Sequence, residues 1–259
     1  MRAFSTVYIA VVLAFLLAPL LVVIGASFSP GGVAEFPPSG FSLHWYGVAL
    51  ARGGFLGSLI NSLLIGIIAA ACAGVVGTAA AFSLTSSSRR VRAALLTVFM
   101  SPLLVPGIVV GIALLAAFTA LGWRDAMSRL IVGHVLVTFP YVVRTVVASF
   151  EQFNPIYAEA ASTLGATRMR IFWHVVLPAV LPGIVAGTVF AFIMSFDNVP
   201  ISMLLADSMT TTLPIAIMSY IEYNPDPAVA AISSIIVFSS LLLALLLERI
   251  FGLRKVVAG

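Results

Sequence analysis

Charge is what this sequence has least of. Asp, Glu, Lys and Arg make up 8% of its 259 residues, against about 25% in an ordinary soluble domain, while apolar residues reach 61%. With a mean hydropathy of +1.17, such a chain cannot stay dissolved as a globular domain and belongs in a bilayer. A single cysteine, Cys72, excludes an internal disulfide, and its Ala and Gly neighbours suggest neither a metal nor a nucleophile. His44 has no second ligand at a useful spacing. No His, Cys or carboxylate cluster has catalytic spacing, which argues against a membrane enzyme. No GxxxxGK[ST] loop is present to cradle a nucleotide phosphate. The net charge of +4 comes without a basic stripe or stacking platform, so nucleic acid is not a partner.

What is present is length without charge. A bilayer core about 30 Å thick needs roughly 20 apolar residues per helical span. Six runs meet that need, at about 7–28, 55–84, 93–121, 130–150, 178–206 and 228–250. Each is expected to be an α-helix, because a helix satisfies its own backbone in lipid and the runs lack the alternation of barrel strands. The sequence therefore predicts an all-α membrane protein with six transmembrane helices in one transmembrane domain, 1–259. Gly25-Ala26-Ser27 after the first run imitates a secretory cleavage site, but the run is too long for a signal core and reads as a retained helix.

Orientation follows from the cations. Arg2, the cluster Arg89, Arg90 and Arg92, the pair Arg168 and Arg170, and the tail Arg249, Arg254 and Lys255 fall on one side if the helices alternate. That side is predicted to be the cytoplasm, with both termini inside. The other side holds Arg52, Arg124 and Arg129 as cations, and residues 207–226 bring Asp207, Glu222 and Asp226 without a Lys or Arg.

Three connections exceed simple turns. The first outer loop, 29–54, passes Pro30-Gly31-Gly32 and Pro37-Pro38 and then presents Phe41-Ser42-Leu43-His44-Trp45-Tyr46, an aromatic cluster suited to a short helix at the interface with membrane lipid. The third, also outer, runs from Thr210-Thr211-Thr212-Leu213-Pro214 to Asn224-Pro225-Asp226-Pro227. The second, an inner one, is the most informative. Asn154-Pro155 reads as an N-cap and first helical residue, so a helix should run from 155 to about 163. Gly165 ends it in the left-handed conformation, and Thr167 caps a second helix that carries Arg168 and Arg170 into the fifth span. Ala158, Ala160 and Ala161 keep the first helix thin enough to enter a groove, with Glu159 free to pair with a basic partner.

At these residues the chain resembles the integral-membrane permease subunits of ABC importers. Their inner loop carries Glu-Ala-Ala, three residues, Gly, nine residues, Ile, one residue and Leu-Pro. Here the pattern stands as Glu159-Ala160-Ala161, Gly165, Val175 and Leu177-Pro178, with Val in place of Ile. The resemblance implies a type I ABC importer permease fold, with coupling helices at about 155–174 seated on a cytoplasmic ATPase subunit. Glu159, Ala160, Ala161, Gly165, Arg168, Leu177 and Pro178 would form that coupling site. It implies as partners a second, related permease subunit, two copies of the ATPase and an external substrate-binding protein, in a bacterial inner membrane. The chain itself would bind no cofactor and be no enzyme, with ATP and Mg on the ATPase subunits. The Thr-Leu-Pro stretch at 211–214 resembles the polyamine branch, whose cargo is putrescine or spermidine. Ferric ion, phosphonate or another small solute is the alternative cargo, and a stand-alone secondary transporter or channel the alternative class. Against the latter stand the lack of an internal repeat and a single intramembrane acid.

That acid is Asp197, in Ser195-Phe196-Asp197-Asn198-Val199-Pro200. A carboxylate in hydrocarbon costs roughly 3 kcal/mol or more, so it must face a cavity, a partner helix or a translocation path. One reading makes it a structural acid where Pro200 breaks the helix. The other places Asp197, Asn198, Phe196 and Tyr141 along the substrate path. Pro102, Pro106 and Gly107 are expected to bend the third span and Pro140 the fourth, where Arg144 either snorkels or pairs with Glu151. Gly66, Gly74 and Gly77 suit close helix packing in the second.

Overall fold

The computed structural model describes residues 2–51, 53–224 and 226–251; Arg52, Pro225, Arg254 and Lys255, used in the readings above, lie outside them. All regular structure among the described residues is helical. The helices are α1 (Arg2–Ala26), α2 (His44–Ala51), α3 (Gly53–Thr85), α4 (Arg89–Leu104), α5 (Gly107–Ala120) and α6 (Ala126–Gln152). After them come α7 (Ile156–Thr163), α8 (Arg168–Ile171), a π-turn (Phe172–Val176), α9 (Leu177–Phe196), α10 (Val199–Leu205), α11 (Leu213–Tyr223) and α12 (Ala228–Phe251). By length and apolarity four helical stretches can cross a bilayer: Thr6–Ala26, Gly54–Thr85, Ala126–Gln152 and Arg168–Phe196. The pair α4 and α5 makes a fifth if it is counted as one span, and α12 contributes the shorter apolar stretch Ala228–Leu241.

Two expected spans are broken rather than continuous. The third, over 93–121, bends by 100° between α4 and α5. Val105 is extended at ψ 134°, as the residue before a proline must be, and Pro106 follows with ψ 132°. The fifth, over 178–206, stops at Phe196 and restarts at Val199. Asn198 leaves the helical region at ψ 90° and its Oδ1 accepts from the Ile201 N–H at 3.0 Å, capping α10 with Pro200 in the first turn.

The chain divides into two compact units, Met1–Gly57 with Ala216–Gly259, and Ser58–Ile215. In the first, α12 packs on α1 and α2. None of the most apolar stretch of α1 is buried, as suits a helix whose solvent is lipid. The aromatic stretch at 41–46 leads into a helix, α2, with a small cluster beside it. Phe28 stacks on Phe41 at 4.7 Å, Tyr46 OH lies 2.7 Å from Ser27 Oγ, and Trp45 Nε1 donates to the Gly31 carbonyl at 3.0 Å.

The second unit is built around α6, whose buried face packs on α9, α4 and α10. One core cluster joins Ala73, Ala81 and Leu84 of α3 to Val142, Val143 and Val146 of α6 and Ala191 of α9. Another joins Ile65, Phe118, Leu130, Val137, Ile201 and Leu205. Backbone approach between α6 and α9 depends on glycine. A Cβ on Gly187 would stand 2.1 Å from Thr145 Oγ1 and 3.1 Å from Val142 Cα, and one on Gly183 would overlap Ser149 Oγ. Gly66, Gly74 and Gly77 likewise face Phe192, Thr188 and Val142. Small residues here do the work of packing in a solvent that supplies no hydrophobic drive.

This packing sorts the connections by end. Arg92 at the start of α4 meets Glu151 at the end of α6 in a 2.6 Å ion pair, and Phe82 touches Phe150 and Phe172. Glu151 thus pairs with Arg92 and not with Arg144, which is exposed. The other end of the unit gathers Asn61 with Thr211 and Ser62 with Leu213.

Candidate functional site

The connection between α6 and α8 folds as a helix, a tight turn and a second helix. Asn154 Oδ1 accepts from the Ile156 N–H at 3.0 Å and starts α7. At its far end Gly165 adopts φ +84°, its N–H donates to the Ser162 carbonyl at 2.9 Å, and the Ala166 N–H reaches back to Ala161 at 3.1 Å. This pair of bonds is a Schellman closure, and it needs a residue at ease with positive φ. Thr167 Oγ1 then accepts from the Arg170 N–H at 3.4 Å, capping α8.

Between α8 and α9 the helical ladder widens to a π-turn, which the sequence did not announce. The Leu177 N–H donates to the Phe172 carbonyl, five residues back. Pro178 has no N–H to offer the His174 carbonyl, so the register shift falls where the ladder is already interrupted. The Leu177-Pro178 pair therefore marks the joint between the loop and the long apolar helix.

No residue of α7 or α8 is buried. Glu159, Ala160, Gly165, Arg168 and Pro178 are exposed, and Ala161 and Leu177 half-buried. Leu164 stands 88% exposed at the end of α7, and Ile156 and Tyr157, about two turns back at its start, are each above 60%. An apolar knob on a polar turn is a surface made for contact.

The intramembrane candidates do not converge. Asp197 caps the C-terminus of α9 with its backbone, and its side chain is exposed without a hydrogen bond or ion pair among the described residues. Asn198 is half-buried and its carbonyl oxygen is engaged in the α10 cap. Phe196 leans on Phe192, with ring centroids 6.0 Å apart. Tyr141 packs edge-on against Phe190 at 5.2 Å, about two helical turns from Asp197. Tyr141 belongs to α6, and Phe196, Asp197 and Asn198 to the end of α9 and its break.

The acids Asp125, Asp207 and Asp226 are engaged locally. Asp207 Oδ1 accepts from the N–H groups of Met209 and Thr210 and from Thr210 Oγ1. The Thr210 hydroxyl and these amides hold its carboxyl below the usual carboxylate range. Asp125 is lowered in the same way by Ser128 at the start of α6. Asp226 accepts from Tyr220 OH and the Ala228 N–H. Their negative charge shapes turns first.

Sequence reasoning passed over one group. His134, in the middle of α6, is buried with Nδ1 2.7 Å from Ser195 Oγ and Nε2 3.2 Å from Ser202 Oγ. Half of the signal was available, since an ionisable residue inside an apolar run is a site by default; its serine partners lie on either side of the break between α9 and α10.

Long apolar helices, two of them broken at mid-length, and an exposed helix–turn–helix connection define a multi-pass membrane protein of the transport class. The fold agrees with solved structures. The chain superposes with TM-score 0.70 on one from a bacterial ABC transporter involved in the import of the acidic polysaccharide alginate, at 17% identity over 97% of this chain and 96% of that one. It matches a chain of the MetNI methionine ABC transporter in inward-facing form with TM-score 0.61, at 18% identity over 76% and 94%. The chain belongs to the family of binding-protein-dependent transport system inner membrane components, whose profile matches residues 62–254. Among curated relatives it is 30% identical over 240 residues to the spermidine/putrescine transport system permease protein PotC of Haemophilus influenzae, covering 93% of each chain. It is also 30% identical over 229 residues to the putrescine transport system permease protein PotI of Escherichia coli, covering 86% and 81%.

Proposed function

We propose that this chain is a permease subunit of an ATP-driven ABC importer that moves a polyamine, putrescine or spermidine, across the inner membrane by alternating access. The observation that carries the reading is the near-full-length similarity to two polyamine permeases. In this reading the chain pairs with a second, related permease, and an external binding protein delivers the cargo. Two copies of a cytoplasmic ATPase hold ATP and Mg.

Helices α7 and α8 are the coupling element. Closure of the ATPase pair would press on the exposed apolar side chains of Ile156, Tyr157 and Leu164 along α7, with Glu159 and Arg168 as charged residues of the same connection. The displacement would pass through the π-turn and Leu177-Pro178 into α9. Force then enters as rigid-body motion and needs no reacting group on this chain. The loop is cytoplasmic in this reading, by the distribution of Arg and Lys. The gathering of Arg92, Glu151, Phe150 and Phe172 at one end of their unit supports that alternation.

Asp197 is the candidate for contact with a substrate ammonium. It is an exposed carboxylate without a partner among the described residues, at a break where helix ends turn toward each other. The test is reconstitution of both permeases and the ATPase in vesicles, with the binding protein added outside and labelled putrescine and spermidine as cargo. Uptake that is ATP-dependent, and falls about tenfold or more in Asp197→Asn with assembly intact, is expected for loss of a charge-assisted contact. Stabilisation of the binding protein by ferric ion or a phosphonate, and not by amines, would overturn the cargo.

A further inference from the structure

The imidazole of His134 spans the break in the fifth apolar run. Ser195 belongs to the last turn of α9 and Ser202 to α10, so each ring nitrogen is tied to a different arm. All three side chains are at most 2% exposed. A neutral imidazole has one N–H donor and one lone pair, and two hydroxyls that both donate and accept match it on either side. Thr138, one turn along, donates to the His134 carbonyl at 2.7 Å and leaves the ring free for the serines.

Everything around α10 holds it against α6 and α5. A Cβ on Gly133 would stand 2.7 Å from Leu205 and 3.0 Å from Ile201, and one on Gly111 would meet Leu204 at 2.6 Å. At the far end the Arg129 guanidinium approaches the Leu205 carbonyl at 3.5 Å. The short helix is thus seated on α6 through apolar contact. Among the described residues, the side-chain link through His134 is the one that also grips α9.

We infer that His134 is a positioning residue: by bridging Ser195 and Ser202 it sets the angle between α9 and α10 and thereby aims the carboxylate of Asp197, which stands between them. Two hydrogen bonds from one rigid ring to two helices leave little freedom at the two-residue junction 197–198. This rests on the transport reading only in so far as Asp197 meets the cargo; the geometry of the clamp does not depend on which cargo moves.

The assembled complex, with Cys72→Ser and Asp197→Cys, is labelled with a membrane-impermeant maleimide from the side that reaches position 197. His134→Leu keeps the volume, and serines in helices can turn to their own backbone, so this variant should fold. His134→Asn keeps a group near Nδ1 for Ser195, and His134→Gln keeps one near Nε2 for Ser202. Loss of the clamp is expected to change the labelling rate at 197 by roughly fivefold or more in the Leu variant, the effect of one to two hydrogen bonds. Ser195→Ala and Ser202→Ala should shift it in the same direction and add nothing to His134→Leu. A cysteine at Ile193, exposed on α9 ahead of the break, should label at an unchanged rate. In uptake, His134→Leu should raise KM more than it lowers Vmax, and Asp197→Asn should cost less in that background than in the parent.

Unchanged labelling at 197 in assembled Leu, Asn and Gln variants would overturn the clamp, whatever is transported. Should His134→Leu fail to assemble, the two serine variants carry the same decision. Shifted labelling in a complex that moves no amine would sink the polyamine reading and uphold the clamp.

Discussion

Replacing Gly165 with alanine isolates the conformational cost of the turn between α7 and α8. A Cβ at this position meets no heavy atom within 4 Å, so nothing clashes. What remains is the backbone, held at φ +84°, where an L-residue with a Cβ costs about 1–2 kcal/mol. If the variant relaxes out of that conformation, it loses the bonds from Gly165 to Ser162 and from Ala166 to Ala161 that close the turn. Either way the native loop is disfavoured by a factor of roughly 5–30. Gly165→Ala should therefore weaken the affinity of the purified ATPase subunit for the detergent-extracted permease pair by up to that factor, and ATP-driven uptake should fall with it. Gly165→Asn, with a side chain more tolerant of positive φ, should fall between. The control is built into the chain. Gly122, in the turn after α5, has φ +68° and equally open surroundings, so Gly122→Ala carries the same backbone cost on the other connection. Equal loss of ATPase affinity in both variants would mean general destabilisation, and no loss at Gly165 would refute the coupling role of the turn.

Gly187→Ala drives a methyl group into Thr145 Oγ1 and the Val142 backbone; overpacking of this kind costs about 1–3 kcal/mol and should lower the thermal midpoint of the extracted protein. The Arg92–Glu151 pair is short, but its side chains are 34% and 60% exposed, so a double-mutant cycle with alanine should return about 0.2–1 kcal/mol, shrinking with added salt. The Thr210 hydroxyl and the Met209 and Thr210 amides hold the Asp207 carboxyl below its ordinary value of 3.8 in the folded protein. Its contribution is therefore present above that value and lost as pH falls through the lower, folded one. Proteolysis of the loop at 206–212 should accelerate in that acid window, and Asp207→Asn should flatten the dependence.

The loop at 153–178 was legible residue by residue. Its cap at Asn154, its left-handed Gly165 and its cap at Thr167 are local devices, each satisfied within a few residues, so composition and spacing suffice to read them. The breaks were only half legible. Pro106 forbids a helical Val105 on steric grounds, yet the 100° angle between α4 and α5 depends on what each arm packs against. Pro200 and Asn198 announced an interruption near Asp197, but a proline in a membrane helix can equally kink it without ending it.

By itself the sequence determined that this protein lives in a bilayer, is helical and carries a capped helix–turn–helix connection at 154–167. These follow from solvation and from contacts between near neighbours in the chain. Tertiary structure decided which partners distant side chains take: Arg92 for Glu151, and Ser195 with Ser202 for His134, separated by 61 and 68 residues. No spacing rule connects such positions, because their meeting depends on the rotation and tilt of α6 against α9 and α10, which glycines set by close approach: Gly187 to the Val142 backbone and Gly133 to the Leu205 and Ile201 side chains.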